Sequence, residues 1–192
     1  RLAKATISDL LTHRSGLPAH RPFFVGLMAP RVTGQSPSVL KACVREMIAR
    51  TPIDEDLCGE TCYSDLGFLL LEWACERASG EALERCWMGL PLHGGGDQLH
   101  FRPLPAEEVF PRPPEKGFTA SASFSSERIG EQLYVPTERC GWRPRLLCGE
   151  VHDDNCWLLG GVGGHAGLFG TLEQVPSFGR AILDDMRTDE AA

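Results

Sequence analysis

Three segments of this chain combine residue types that could carry chemistry. Residues 10–18 read Leu-Leu-Thr-His-Arg-Ser-Gly-Leu-Pro, with His13 near what would be a helix end. Residues 63–68 read Tyr-Ser-Asp-Leu-Gly-Phe, which sets a tyrosine directly before a helix start. Residues 149–155 read Gly-Glu-Val-His-Asp-Asp-Asn and run on to a Gly-rich stretch around His165, with six glycines between 160 and 170. A tyrosine held in front of a helix N-cap can project its hydroxyl into a cleft. A phenol of pKa about 10 becomes a base only where nearby cations favour the phenolate. The plainer alternative for Tyr63 is a partly buried ring making one hydrogen bond.

The glycines at 160–170 let backbone approach a ligand closely or turn tightly. There is no lysine at the P-loop position and no preceding βαβ pattern, so a phosphate cradle is not expected. His165 and Gly167 are therefore candidate substrate-binding residues, against the alternative of a loop histidine with one structural hydrogen bond. His13 could act as a base, but a histidine at a helix end commonly satisfies carbonyls instead. His152, Asp153 and Asp154 are the right types for a metal site. On an extended segment adjacent side chains point to opposite faces, so no metal is expected there. Ser38-Val39-Leu40-Lys41 is literally Ser-x-x-Lys, the nucleophile pattern of penicillin-recognising enzymes. Capping and surface roles explain both residues, and it is taken as a coincidence.

The elements that must hold these residues are mostly helices. A short helix is expected over residues 7–12, capped by Thr6 or Ser8 and stopped by Gly16 and Pro18. A second has Ser36 as N-cap and Pro37 at its first position, with Leu40, Cys43, Val44, Met47 and Ile48 at helical spacing, and ends at Thr51-Pro52. A third runs from Ser64 to about Ser79 with Gly80 as stop, apolar nearly all round in its first turns and so expected to be buried. A short continuation covers 81–88. Between 91 and 170 the prolines at 103, 105, 111, 113, 114, 136 and 144 forbid long regular elements. So long an irregular stretch is expected to cover a site. Short strands fit near 132–135 and 146–151. A last helix follows Thr171, kinked or late-starting because of Pro176.

Composition narrows the function classes. The 192 residues are 42% apolar and 23% charged, enough to bury a core, and the 21 glycines and 14 prolines imply much irregular chain. A net charge of −7 with no basic block argues against a nucleic-acid-binding surface. The longest strongly apolar stretch, residues 68–71, is far too short to span a bilayer. Arg1 rather than Met comes first, so either a leader was removed or this is a piece of a longer chain; compartment is not assigned. The eight cysteines include no Cys-x-x-Cys, and they are expected to be reduced. Cys43, Cys75 and Cys86 fall in helical patterns and are expected to pack as small apolar residues.

Taken together and in this order, the three segments resemble the serine beta-lactamase-related family, which includes class C beta-lactamases, D-alanyl-D-alanine carboxypeptidases and related esterases. Members typically carry Leu-Leu-Thr-His-x-Ser-Gly-Leu-Pro, matched at residues 10–18. They then carry Tyr-x-Asn, or Tyr-Ser-Asp in some members, opening a Leu-rich helix that ends in Ser-Gly or Thr-Gly, matched at 63–80. One subgroup adds Pro-Thr-Glu, Trp-Arg, Gly-Glu-Val-His-Asp-Glu-Asn and Gly-His-Ala-Gly-Leu-Phe-Ser-Thr. Those blocks correspond to residues 136–138, 142–143, 149–155 and 164–171.

The resemblance implies an α+β fold of the beta-lactamase/transpeptidase type, with an antiparallel sheet, flanking helices and a helical subdomain. Residues 1–192 would form part of such a domain: mainly the helical subdomain, with long irregular loops and few short strands. The nucleophilic Ser-x-x-Lys of the family lies before the first motif, and its Lys/His-x-Gly strand follows the last helix. Both are expected outside this chain, along with the C-terminal sheet strands. The activity implied is that of a serine hydrolase that opens amide or ester bonds through an acyl-enzyme, with Tyr63 handling protons and Asp65 beside it. Asp65 stands where most members have Asn; a carboxylate accepts but does not donate, which shifts weight from beta-lactams to ester or peptide substrates. A small-molecule or peptidoglycan-like substrate is expected, with no cofactor and no nucleic-acid partner. The rival readings are a catalytically inactive truncated or degenerate member serving as a binding module or remnant, and an unrelated disulfide-rich secreted binder.

Overall fold

Thr6 starts the first helix, α1 (Ile7–Leu11), with a reciprocal capping box: its side chain accepts the Asp9 N–H while the Asp9 carboxylate accepts the Thr6 N–H. Ser36 caps α3 (Pro37–Ala49), with Pro37 in its first turn, as the sequence predicts. Ser64 caps α4 (Asp65–Ser79), and Gly80 ends that helix at φ 74°, in the left-handed region that glycine enters without strain. The continuation is α5 (Leu83–Met88). The structure, a computed structural model, describes residues 5–90, 99–104, 127–129 and 132–189. The prolines at 105, 111, 113 and 114, and the loop expected around them, lie outside the described residues.

Two helices were not legible in the sequence. The first, α2 (Phe23–Val32), contains Gly26 and Pro30, which mask its period. Pro30 sits in its last turns, and tertiary contact with the Trp157 region outweighs the local cost. The second, α6 (Asp154–Leu158), begins inside the third motif, with Asp153 as N-cap. The residues read as extended are thus a helix start, and His152, Asp153 and Asp154 go to three different partners.

Helix α7 (Gln174–Asp189) is entered through a second capping box: the Thr171 N–H donates to Gln174 Oε1 at 2.7 Å, and the Gln174 N–H donates to Thr171 Oγ1 at 3.3 Å. The helix starts late, at Gln174, as the sequence predicts, which leaves Pro176 in its first turn, where a backbone N–H has no helical acceptor.

The strands form three separate antiparallel pairs among the described residues. They are β1 (His100–Phe101) with β6 (Leu168–Phe169), β2 (Glu127–Ile129) with β3 (Gln132–Tyr134), and β4 (Pro136–Arg139) with β5 (Leu146–Cys148). The third pair, which opens on a proline, is half missed by the sequence: only β5 was anticipated. The result is the helix-rich α+β arrangement expected.

The core gathers Leu10, Leu17, Phe23, Leu40, Val44, Ile48, Leu66, Leu69, Trp157 and Leu158 between α1, α2, α3, α4 and α6. Helix α4 is less buried than its composition predicts. Leu66, Gly67 and Leu69 are covered, but Trp73 is 43% exposed. Gly67 faces α1, where an added Cβ would make ordinary contact, 3.5 Å from the Leu10 carbonyl.

All eight cysteines are free. The expectation that Cys43 and Cys75 pack in the core is corrected: both face solvent, and Cys86 is half-buried. The packed thiols are Cys140 in a loop, Cys148 in β5 and Cys156 in the short helix α6, elements too short for periodicity to give warning. Among the described residues no helix is long and apolar enough to cross a membrane.

Candidate active site

The first and second motifs form one unit around the N-terminus of α4. His13 adopts φ 58°, and its carbonyl accepts the Cys62 N–H at 2.8 Å while its Nδ1 accepts the Ser64 N–H at 3.0 Å. Its ring lies 4.7 Å from that of Tyr63 and 5.2 Å from that of Phe68. His13 is therefore a bracket, not a free base. The Ser64 hydroxyl donates to the Pro18 carbonyl at 2.8 Å, and the Asp65 N–H donates to the Ala19 carbonyl at 2.9 Å. Gly16, at φ 73°, is obligatory: a Cβ there would sit 2.6 Å from the Asp54 carbonyl and 2.7 Å from Cys58 Sγ.

Tyr63 is thus delivered to one place by a fixed backbone, yet its side chain is 62% exposed. The hydroxyl donates to Asp65 Oδ1 at 2.9 Å. That hydrogen bond, partial burial, and the negative charges of Asp65 and Asp153 all raise the Tyr63 pKa above the usual phenol value. In this arrangement Tyr63 keeps its proton and shares it in the hydrogen bond to Asp65. Turning it into a base requires added positive charge at the hydroxyl.

The third motif is welded by Arg143, whose side chain is 1% exposed. Its Nη1 donates to the Val151 carbonyl at 3.0 Å, and its Nη2 donates to the His152 carbonyl at 2.6 Å and to Asp154 Oδ1 at 2.8 Å. The guanidinium also lies 5.0 Å from the centre of the Trp142 ring. Arg145 grips Glu150 with two hydrogen bonds of 2.7 Å. Asn155, fully buried, accepts the Phe24 N–H at 3.1 Å and donates to the Arg21 carbonyl at 2.9 Å, which ties α6 to the start of α2.

From this frame Asp153 reaches the Gly-rich loop. Its Oδ1 accepts the Cys156 N–H at 2.7 Å and lies 2.9 Å from His165 Nε2. Burial acts to raise its pKa, but the hydrogen bond and charge of His165 outweigh burial and hold the carboxyl below its usual range. The His165 side chain is 2% exposed, and its buried Nδ1 has no hydrogen-bond partner among the described residues. That nitrogen lies on the Gly163 side of the ring, since a Cβ on Gly163 would sit 3.1 Å from it. A tight turn closes the loop, with the Gly163 and Ala166 backbones exchanging hydrogen bonds of 3.2 and 3.3 Å.

Gly167, at φ 109°, has its close approach to the chain's own backbone. A Cβ there would sit 2.5 Å from the Gly161 carbonyl. Beside it the Cys156 thiol is fully buried, its pKa pushed well up by burial and nearby carboxylates, so it is inert as a nucleophile.

Of the residues singled out from sequence, Tyr63 and Asp65 meet directly. His165 joins them through Asp153, whose charge acts on the Tyr63 hydroxyl. His152 departs to Glu138, 3.1 Å away. No group of three His, Cys, Asp or Glu side chains suited to a metal gathers among the described residues. The Ser38 hydroxyl pairs with Ser36 Oγ at 2.9 Å, while Lys41 pairs with Glu72 and Glu76 at 2.5 and 3.1 Å. The expected capping and surface roles are corrected: Ser36 is the cap, Ser38 only leans on it, and Lys41 is a mostly buried ion-pair partner at 14% exposure, so the Ser-x-x-Lys match forms no nucleophile pair. Sequence reasoning weighed Asp153 only as a metal ligand and missed its role as a cap, although an Asp before the apolar run 156–159 is an N-cap signal. It also missed His20, Nδ1 of which lies 3.3 Å from Asp65 Oδ2; no local pattern marks it.

A family model described as Beta-lactamase matches residues 2–191. The chain is 29% identical over 173 residues to a Bacillus subtilis protein named N-acetylmuramyl-L-alanine amidase, covering 90% of this chain and 36% of that protein. It is 28% identical over 182 residues to a Salmonella agona protein named D-alanyl-D-alanine carboxypeptidase, covering 94% of this chain and 39% of that protein. The chain thus spans less than two-fifths of the length of these curated relatives. No solved structure matches it. With the match running over almost every residue, from before α1 to the end of α7, the chain belongs to the beta-lactamase family.

Proposed function

We propose that this chain supplies the tyrosine side of a serine hydrolase site that opens amide or ester bonds through an acyl-enzyme, with the nucleophilic serine and its lysine contributed by sequence outside residues 1–192. The observation that carries the reading is the Tyr63 hydroxyl, presented at the capped start of α4 on Asp65 and within the field of Asp153. In acylation the serine oxygen bonds to the carbonyl carbon as the C–N or C–O bond breaks. Tyr63 takes the serine proton and returns it to the leaving group, and water then cleaves the ester. An incoming lysine ammonium would pair with Asp65 and supply the positive charge that Tyr63 lacks here. Asp65 cannot donate to a substrate carbonyl, which favours ester or peptidoglycan-like peptide substrates over beta-lactams. His165 and Gly167 would line the substrate side through the loop backbone, not through an open imidazole edge.

The surplus of carboxylate around Tyr63 favours one second reading, a degenerate member that binds without turning over. A single experiment separates the two. Treat the full-length protein with a fluorophosphonate probe, map the labelled serine, and repeat with Tyr63→Phe. The hydrolase reading expects labelling at a serine outside residues 1–192, slowed about 10²–10⁴-fold by the substitution. Absence of labelling in the full-length protein would establish the degenerate reading, and labelling at Ser38 would overturn both.

A further inference from the structure

His20 lies two residues beyond the first motif, and nothing in the motif accounts for its contacts. Its Nδ1 is 3.3 Å from Asp65 Oδ2, while Asp65 Oδ1 accepts the Tyr63 hydroxyl at 2.9 Å. One carboxylate therefore bridges an imidazole and a phenol. The backbone fixes the bridge. Ala19, the residue before His20, accepts the Asp65 N–H at 2.9 Å, and Pro18 accepts the Ser64 hydroxyl at 2.8 Å. These two bonds hold the backbone that carries His20 beside the start of α4.

The His20 side chain is about half exposed, whereas that of Asp65 is mostly sheltered. The imidazole can exchange protons with water and the carboxylate is screened less. The charged groups facing His20 are Asp65 from the first turn of α4 and Asp153 from the N-cap of α6, whose carboxyl is lowered in part by His20. Arg21 donates from Nη1 to the His20 carbonyl at 3.1 Å, and His165 sits on Asp153.

We propose that His20 is a positioning residue for proton transfer at Tyr63: it holds the Asp65 carboxylate against the hydroxyl and passes its own protonation state to it. This rests on the reading of Tyr63 as the proton-transfer group. With His20 neutral, Asp65 keeps its full negative charge and is a strong acceptor, which disfavours the phenolate. When His20 takes a proton from water, the imidazolium–carboxylate pair draws on that charge. The Tyr63 hydrogen bond weakens and its proton leaves more readily. Tyr63 is easier to ionise, and its phenolate more available, as His20 charges.

The chain has only two tyrosines, Tyr63 and Tyr134. Label it with [13Cζ]tyrosine, assign Tyr63 with Tyr134→Phe, and follow its signal by NMR from pH 5 to 9 beside the His20 ring signals. The expected result is an inflection in the Tyr63 signal at the His20 midpoint, lost in His20→Gln and in Asp65→Asn and kept in His165→Gln. A flat Tyr63 signal in the unsubstituted chain overturns the proposal, as does an inflection that survives His20→Gln. Normal turnover of Tyr63→Phe in the full-length protein, with the inflection present, would instead sink the proton-transfer reading and leave the His20–Tyr63 coupling standing.

Discussion

Glu72, on the inner face of α4, accepts the Gly164 backbone N–H on Oε2 at 2.9 Å, while its Oε1 lies 2.5 Å from Lys41 Nζ. A single carboxylate, 4% exposed, therefore ties α3 and α4 to the loop that carries His165. The arrangement explains why Gly164 carries no side chain: a Cβ there would collide with the Phe68 carbonyl and sit 2.9 Å from Glu72 Cβ.

Breaking this pair should cost unequally from its two ends. In Lys41→Met, Glu72 and Glu76 are left as like charges, with Arg45 3.8 Å from Glu76. The expected loss is about 3 kcal/mol, roughly 6–12 °C in Tm. Glu72→Gln keeps an acceptor for Gly164 and leaves Lys41 with Glu76, so its loss should be clearly smaller. Thermal melts of the two variants test this, and equal costs would show that the pair does not act through Lys41.

Two glycine substitutions should move stability in opposite directions. Gly164→Ala forces a methyl group into the Phe68 backbone and should cost about 3 kcal/mol. Gly26 lies inside α2 with nothing within 4 Å of an added Cβ, so Gly26→Ala should stabilise by about 0.5–1 kcal/mol. Urea unfolding followed by circular dichroism would read both, and a neutral Gly164→Ala would refute the close packing of loop on helix.

The Asp153–His165 pair makes a pH prediction. Because the folded Asp153 pKa is lowered, its contribution is complete above the unfolded value of about 3.9 and is lost as pH falls through the folded value below it. Asp153→Asn should therefore be less stable than the unsubstituted chain at pH 7, with the gap closing below about pH 4. A gap that stays constant from pH 7 to pH 3 would rule out the ionised pair.

Tyr63 should ionise earlier once its carboxylate is neutralised. The hydrogen bond to Asp65 is the largest influence raising its pKa. In Asp65→Asn the 295 nm absorbance of phenolate should rise at lower pH, back toward about 10. Tyr134 provides the second transition in the same spectrum. If the curve is unchanged by the substitution, Asp65 does not control the hydroxyl.

The capped helices and the order of the motifs are legible in the residues alone. Ser36-Pro37, Ser64 and Gly80 act through backbone contacts within a turn or two, so their signals are local and readable. The sequence also placed Tyr63 at a helix start and identified Ser38-x-x-Lys41 as a coincidence. Tertiary structure decided the rest, because each remaining feature joins residues far apart in the chain. Helix α2 survives Gly26 and Pro30 because α6 packs on it and Asn155 bonds to residues 21 and 24. Cys156 is buried and Cys43 exposed for the same reason: periodicity gives a helix face, but only the neighbours decide which face is covered. The polarity of Tyr63 was set in the same way. A phenol that sequence could only place beside one aspartate meets a second carboxylate, Asp153, from ninety residues on, and both charges oppose its ionisation.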